Sequence, residues 1–244
     1  MRNLGLAALA ALTLTGCVTS ETVSFKATGG GQQAIMRDGQ PALVSRQKNS
    51  LVLVRPASRE IKSGGRPVFV VGINNISPNP VNFMASQVEA TQMVAQQANP
   101  MQVITYEALV QEERNAQIGR AILVGLASGA NAYGASQAGY GTYTTPRGRT
   151  GTFYSPTAAA IAQNRAAYQN DAMISATIEQ GQANLANLEQ AVIKDNTLMP
   201  GEWYGGQLHL APPADSPSGA KTYVISLQVG NDRHVIDVSQ GPAR

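Results

Sequence analysis

The chain has little of the chemistry on which most enzymes depend. Its 244 residues include one cysteine, two histidines and one tryptophan, and only 14% of them are charged. A single thiol excludes an internal disulfide, and His209 and His234 lack the further ligands that a zinc site needs. The sequence also has no Gly-x-Ser-x-Gly, Walker or His-Glu-x-x-His motif. We therefore predict no catalytic residue, no metal, no cofactor and no enzymatic activity.

The one cysteine, Cys17, follows a short apolar segment. Arg2 supplies a positive charge, residues 4–14 are apolar except for Thr13, and Leu14-Thr15-Gly16 lead into Cys17. A run of this length is too short to span a bilayer but fits the apolar region of a signal peptide. The arrangement resembles the lipobox of bacterial lipoproteins. The alternative is an ordinary secretory signal with an incidental cysteine.

The resemblance to bacterial lipoproteins implies a membrane anchor. In that family the thiol equivalent to Cys17 receives a diacylglycerol, the signal peptide (here residues 1–16) is removed, and the new amino terminus is acylated, for example with palmitate. Several acyl chains attach a protein stably to a bilayer. Val18 stands where Asp favours the inner membrane in enteric bacteria, which implies the outer membrane and a domain facing the periplasm. Residues 17–31 are polar and end in three glycines, so we predict a lipidated flexible tether.

Short strand signals, separated by turns, occupy residues 32–104 and return in residues 196–244. Asp38-Gly39 predicts a hairpin turn, because both positions tolerate positive φ. The apolar run 68–73 is typical of a buried strand, and the alternation in 81–90 slips near Met84, which indicates a bulge. Strands of this length and spacing predict an antiparallel Ig-like β-sandwich.

Residues 105–195 have helical periodicity instead. Thr105 and Ser155 are suited to cap two helices, at about 105–137 and 157–195. The second helix carries a heptad seam that requires a partner helix, formed by Ile174, Ile178, Gly181, Leu185, Leu188 and Val192. The first helix has the same spacing with poorer hydrophobicity, at Ile104, Ala108, Gln111, Asn115, Ile118, Ile122, Gly125 and Gly129. We predict an α+β fold in which one sandwich is interrupted by a long antiparallel helical hairpin.

Two short sequences mark where the helices begin and where the sheet resumes. They are Ile104-Thr105-Tyr106-Glu107, and Asn196-Thr197-Leu198 with Pro200-Gly201. In these features the chain resembles uncharacterised bacterial lipoproteins that place an Ig-like sandwich beside an inserted helical hairpin. The resemblance covers most of the chain after Cys17 and implies no activity.

Two stretches of the hairpin are candidate interaction sites. Ala121, Gly125 and Gly129 form a glycine-zipper pattern within residues 121–146, which carry no charge. Small residues at this spacing allow helix backbones to approach closely. The pattern fits membrane insertion or self-assembly, and it equally fits a close contact between the two helices or with the sandwich.

The second stretch is the Gly- and Tyr-rich tip at residues 139–154. It combines aromatic side chains with arginines, namely Tyr140, Tyr143, Arg147, Arg149, Phe153 and Tyr154. Such a group can lie at a lipid headgroup surface, or bind a partner protein or an anionic glycan. The alternative is a solvated loop without function.

Together these features predict a non-enzymatic, lipid-anchored protein of the cell envelope whose helical hairpin has a scaffold or interaction role. The expected partners are membrane lipid, through acylated Cys17, and either another envelope protein or further copies of the chain. The small net charge of +3 does not indicate nucleic acid. The alternative function is a membrane-active or pore-forming element that uses the glycine-rich, uncharged hairpin.

Overall fold

The computed structural model describes residues 20–94, 97–215 and 220–243. The predicted signal peptide and Cys17 lie outside these ranges. The two helices are α1 (Tyr106–Gln137) and α2 (Pro156–Ala191). The strands, in chain order, are β1 (Ser20–Lys26), β2 (Gln32–Arg37), β3 (Gln40–Arg46), β4 (Ser50–Pro56), β5 (Ile61–Lys62), β6 (Val68–Asn75), β7 (Val81–Phe83), β8 (Glu89–Val94), β9 (Gln97–Met101), β10 (Val103–Ile104), β11 (Tyr140–Thr144), β12 (Thr150–Tyr154), β13 (Asn196–Leu198), β14 (Trp203–Leu210), β15 (Lys221–Val229) and β16 (Asp232–Pro242).

Two antiparallel sheets form a sandwich around one core. The first sheet has the order β13-β7-β15-β16-β1-β5, with β8 paired to β15 and β9 paired to β8, and the second has the order β10-β14-β6-β4-β3-β2. Strands that precede the helices pair with strands that follow them: β6 with β14, β7 with β13, and β8 with β15. The helices are therefore an insertion into one sandwich, and the predicted α+β fold class is confirmed.

Large apolar side chains from both sheets fill the space between them. Phe69 of β6 makes edge-to-face contacts with Phe25 of β1 and Tyr223 of β15, at ring-centroid distances of 6.2 and 6.3 Å. Other side chains with almost no exposure are Leu43, Val52, Val54, Ile73, Phe83, Leu198, Leu208, Leu210, Ile225, Leu227 and Ile236. Each large apolar side chain contributes about 1.5–3 kcal/mol when it is buried. This core stabilises the sandwich without a disulfide.

Part of the predicted tether is a strand of the first sheet. Residues Ser20–Lys26 form β1, which pairs along its length with β16 and at its start with β5. The prediction of a flexible tether is therefore wrong from Ser20 to Lys26. The strand signal is weak because Glu21 takes an inward position, beside Val23, that an alternating pattern assigns to an apolar residue.

Buried Glu21 is tolerated because polar partners surround it. Its carboxylate accepts hydrogen bonds from Lys221 Nζ at 2.8 Å, Gln240 Nε2 at 2.6 Å and Ser63 Oγ at 2.9 Å. Burial raises the pKa of Glu21, but these three hydrogen bonds outweigh burial and hold the pKa below its usual value. The charge of this carboxylate is thus part of the native packing.

Several local predictions can be compared with the structure. Asp38 and Gly39 have φ of 52° and 71°, which confirms the hairpin turn. Near Met84, where the alternation slips, a 3-10 turn at Ala85–Gln87 separates β7 from β8. Thr105 and Ser155 cap their helices, accepting from the backbone N–H three residues on. The second helix ends at Ala191 rather than at residue 195, because the chain turns there onto β14.

A second buried polar cluster joins the two sheets. His234 of β16 has no exposed surface, and its Nε2 lies 2.8 Å from Ser50 Oγ while its Nδ1 lies 2.9 Å from Ser45 Oγ. Ser50 donates its proton to the Asp232 carboxylate at 2.8 Å. Ser50 therefore accepts from Nε2–H of His234, and Nδ1 accepts from Ser45. Burial lowers the pKa of His234 to about 4, although Asp232 and Ser45 act in the opposite direction.

This histidine predicts a pH dependence of stability. Between the usual histidine pKa and about 4, the unfolded chain binds a proton that the folded chain does not, so the stability of the fold decreases as the pH falls through this range. From about pH 7 to about pH 4.5 the free energy of unfolding should fall by about 2–3 kcal/mol on account of His234. Denaturant unfolding at both pH values should show a smaller difference in His234→Gln. Equal differences in the two proteins would contradict the assignment.

Candidate interaction surface on the helical arm and its tip

The arm consists of α1, the tip hairpin β11–β12 and α2, and its base is fixed to the sandwich by apolar contacts. Ile104, Leu109 and Val192 are buried together at the base. The chain leaving α2 lies directly on β14, where Ile193 N donates to Gln207 O at 3.0 Å. A Cβ on Gly206 would lie 2.7 Å from Ile193 N. The glycine pair at 205–206 within a strand is a signal of this close approach that the sequence analysis missed.

Polar contacts add to the base. Arg66 in the β5–β6 loop forms two hydrogen bonds to Glu112 of α1, at 2.6 and 3.1 Å. Tyr106 donates its hydroxyl proton to Glu189, which also pairs with Lys194, and Lys194 Nζ lies 4.3 Å from the centre of the Tyr106 ring. Hydrogen bonds from Lys194 and Tyr106 lower the pKa of Glu189. An exposed ion pair such as Arg66–Glu112 contributes about 0–1 kcal/mol.

The surface between α1 and α2 is largely polar. Near the base, the carboxylate of Glu113 accepts hydrogen bonds from Gln117, Arg120 and Asn184. Burial raises the pKa of Glu113, but hydrogen bonds from Asn184, Arg120 and Gln117 bring it below its usual value. Gln117 also occupies the space where a Cβ on Gly181 would lie, with its amide 2.7 Å from that position. These contacts fix the rotation of both helices at this level.

A second polar contact fixes the helices farther from the base. Asn131 Nδ2 donates to Asn170 Oδ1 at 3.0 Å, and Asn170 Nδ2 donates to the Ser128 carbonyl at 3.3 Å. The small side chains Ala135 of α1 and Ala166 of α2 are also buried in this part of the arm. Helix packing through small residues and interhelical hydrogen bonds gives close approach with little apolar burial.

The predicted heptad seam is correct near the base of the arm, where Ile104, Leu188 and Val192 pack together, and wrong farther out. Gly181 is buried against α1, as predicted, but Ile174 and Ile178 are 46% and 54% exposed. The α1 side chains that hydrogen-bond to α2, Glu113 and Asn131, lie on the opposite side of the helix from the predicted positions Ile118 and Ile122. The Glu113–Asn184 and Asn131–Asn170 hydrogen bonds set the rotation of the helices, and an apolar pattern does not report such pairs.

Part of the outer surface of the arm is apolar. Ile118, Ile122 and Leu126 of α1 are 61%, 59% and 68% exposed. At 100° per residue they lie on the side of α1 that faces away from α2. The hydrogen bonds between the helices place Ile174 and Ile178 of α2 at the same height along the arm as Gly125 and Ala121 of α1. Both isoleucines lie beside the α1–α2 interface, on a flank of the arm to which both helices contribute. Ile118, Ile122, Leu126, Ile174 and Ile178 are called the arm face below.

The predicted interaction residues Gly125 and Gly129 belong to the same side of α1. A Cβ added to either glycine would meet no atom within 4 Å. A close contact with α2 or with the sandwich is therefore wrong as an explanation of the glycine pattern. The two glycines instead leave shallow, open positions between the exposed apolar side chains of the arm face.

The predicted tip residues 139–154 form a two-stranded hairpin and not an irregular loop. Its rings lie across glycines on the opposite strand: Phe153 over Gly141, and Tyr143 over Gly151. A Cβ at Gly141 would approach the Phe153 ring to 2.4 Å, so a larger residue there would displace the ring. At the end next to the helices, Tyr140 and Tyr154 contact each other with ring centroids 5.0 Å apart.

Strand alternation gives this hairpin two unlike faces. One face carries Tyr143 and Phe153 with glycines between them, and the other carries Tyr140, Tyr154 and threonines at 142, 144, 150 and 152. Arg147 and Arg149 lie in the turn and are exposed. The structure thus brings all six predicted tip residues together at one end of the arm.

Neither histidine belongs to the arm face or to the tip hairpin. His234 is enclosed in the core cluster described above. His209 of β14 is partly buried beside the Arg66–Glu112 pair; burial and Arg66 lower its pKa, and Glu112 acts against them. In the described residues its Nε2 is buried and has no hydrogen-bond partner.

Adjacent carboxylates on α1 provide a test of the polar seam. Replacing Glu113 by Ala leaves Arg120 and Asn184 without their common acceptor, so α1 and α2 should open more easily, by about 1–3 kcal/mol. Glu112→Ala removes only an exposed pair with Arg66 and should cost about 0–1 kcal/mol. Native-state hydrogen exchange of the α1 amides measures both. Equal losses in the two variants would contradict a seam held by Glu113.

Comparison with known proteins gives no match. No protein-family model matches the chain, and neither a curated protein nor a solved structure does. Within residues 20–94, 97–215 and 220–243, no helix is both long and apolar enough to cross a membrane, and no cluster of three or more His, Cys, Asp or Glu side chains is placed to hold a metal ion. A functional proposal must therefore rest on the residues of this chain.

Proposed function

We propose that this chain is a non-enzymatic, lipid-anchored protein of the cell envelope, and that its helical arm is the element that binds a partner. The sandwich is the scaffold that holds the arm. The partner is an envelope protein or a further copy of the chain. The anchor is the acylated Cys17 expected from the lipobox, in the outer membrane and on its periplasmic side.

The observation that carries the proposal is the distribution of exposed apolar side chains. In the described residues, thirteen of the twenty exposed large apolar side chains lie on the arm, between Ile118 and Ile178. The remaining seven are scattered over the sandwich. Single exposed apolar residues are common on any protein, whereas a concentration of them on one element marks an interaction surface.

The distribution of side chains between the two helices supports the same conclusion. Polar groups, including those of Glu113, Asn131 and Asn170, lie between the helices and bind one another. The isoleucines of both helices are exposed instead. Two helices that needed only each other would bury the apolar side chains instead. Burial of the arm face on a partner would supply the apolar contact that the helix pair itself lacks.

The position of β1 limits the geometry of the anchor. Ser20 already pairs with Lys62, so two residues separate it from Cys17, and the link can span about 10 Å when fully extended. Ser20 also lies next to the loop whose Arg66 contacts Glu112 on α1. A lipid on Cys17 would therefore hold the sandwich close to the bilayer, on the side of the domain that carries the base of the arm.

The anchor is tested by replacing Cys17. In cells of a bacterium that processes lipoproteins, wild-type chain should incorporate labelled palmitate and fractionate with the outer membrane, and Cys17→Ser should do neither, because the thiol is the acylation site. Globomycin, which blocks lipoprotein signal peptidase, should make the unprocessed form accumulate. Palmitate labelling of Cys17→Ser at the wild-type level would contradict the anchor.

The arm face is tested by a triple substitution. In Ile118→Gln, Ile122→Gln and Leu126→Gln the helix propensity is preserved, and each exposed change should alter the free energy of unfolding by less than about 0.5 kcal/mol. Loss of the apolar contact should nevertheless remove the complex that native electrophoresis detects in gently solubilised envelopes.

The matched control carries Met36→Gln and Met93→Gln, which remove exposed apolar side chains from the sandwich. It should keep the complex at the wild-type level. A complex that survives the triple substitution would refute the role of the arm face. Release of dye from vesicles by acyl-free protein would instead support the alternative of a membrane-active hairpin.

A further inference from the structure

The tip of the arm is chemically different from the arm face. Between Glu113 and Asp171 the sequence contains five arginines and no carboxylate. Three of the five, Arg147, Arg149 and Arg165, lie in the half of the arm that includes the tip. None of the ion pairs in the described part of the chain involves these three side chains. The distal arm is thus a cationic unit whose charges have no internal partner.

Two of the four aromatic side chains of the tip share the face of the hairpin that is otherwise glycine. Tyr143 and Phe153 are 53% and 50% exposed, and the residues between them on that face, Gly141 and Gly151, have no side chain. The opposite face carries four threonines and, at the end next to the helices, Tyr140 in contact with Tyr154. The hairpin therefore has a glycine-backed aromatic face and a face rich in hydroxyl groups, with arginines in the turn at its outer end.

We propose that the tip hairpin docks on an anionic phospholipid surface. Tyr143 and Phe153 would enter the headgroup region from the glycine-backed face, where amphipathic rings are favoured. Arg147 and Arg149 would bind lipid phosphates beside them, while the threonine face stays in water. The uncompensated positive charge selects an anionic surface over a neutral one. This is peripheral contact by a hairpin, and it concerns other residues than the arm face.

A lipid surface fits the tip better than a glycan or a protein does. An anionic glycan would require hydroxyl-binding side chains next to the rings, and the Tyr143–Phe153 face has only glycines there. A protein partner of the tip would need carboxylates opposite the arginines, together with a pocket for each ring. A bilayer supplies phosphates and an apolar layer over its whole surface, so it needs no pocket matched to the hairpin.

The test uses vesicle binding by the chain from residue 17 with Cys17→Ser, which contains every described strand and helix and lacks the lipid. Binding to phosphatidylcholine vesicles should require added phosphatidylglycerol and should weaken in high salt. Arg147→Gln with Arg149→Gln should lower the affinity roughly fivefold for each arginine. Tyr143→Ser with Phe153→Ser should also weaken binding.

Matched controls are Arg37→Gln with Arg46→Gln, and Met36→Gln with Met93→Gln, all on the sandwich surface. They should bind as wild type does. Equal binding to neutral vesicles, unchanged binding of the arginine variant, or binding to a soluble polyanionic glycan but not to vesicles would overturn the proposal. The arginine variant keeps the hairpin side chains that pack over glycine, so its result stands even if the aromatic variant loses the hairpin. Failure here would leave the arm-face complex untouched.

Discussion

The pairing of β14 with β6 is the interaction on which the rest of the structure depends. It joins strands on opposite sides of the inserted arm, from His209 opposite Val68 to Trp203 opposite Asn74. β10, which leads into α1, pairs with the same strand at His209, and the chain leaving α2 lies on it at Gln207. One strand therefore receives both ends of the arm. Because that strand is part of the sandwich core, the arm has a fixed base although its helices bury little apolar surface.

The helix pair of the arm is less stable than an apolar pair would be, but the rotation of its helices is defined and one of its surfaces stays free. A polar seam stabilises a helix pair less than an apolar one would, since each amide or carboxylate gives up water for its partner. In return, pairs such as Asn131–Asn170 define one rotation and one level for the two helices, as single polar positions do in coiled coils. The apolar side chains of the arm face remain outside. Binding a partner through them would complete the hydrophobic contact without any change in the fold.

Sequence patterns predicted most strands and helices, but not which side of each helix faces its partner. The Asp38-Gly39 turn, the caps Thr105 and Ser155, and the insertion of a helical hairpin between strands of one sandwich follow from local chemistry, and the structure confirms them. The rotation of α1 does not follow, because it depends on hydrogen bonds between residues such as Glu113 and Asn184, far apart in sequence. β1 was missed for a similar reason: Glu21 is buried only because Lys221 and Gln240 meet it. The tip residues were identified from composition alone. Their pairing into a hairpin was not predicted, because the sequence does not show which ring lies over which glycine.

The central claim is that the arm face is covered in the envelope and open in the isolated chain. It can be measured directly with a thiol probe, because an acylated Cys17 leaves no other cysteine to react. Ile122→Cys should react rapidly in purified protein and slowly in intact envelopes, whereas Met36→Cys on the sandwich should react at the same rate in both. Equal reactivity of Ile122→Cys in the two states would contradict the account, because an uncovered arm face would have no partner.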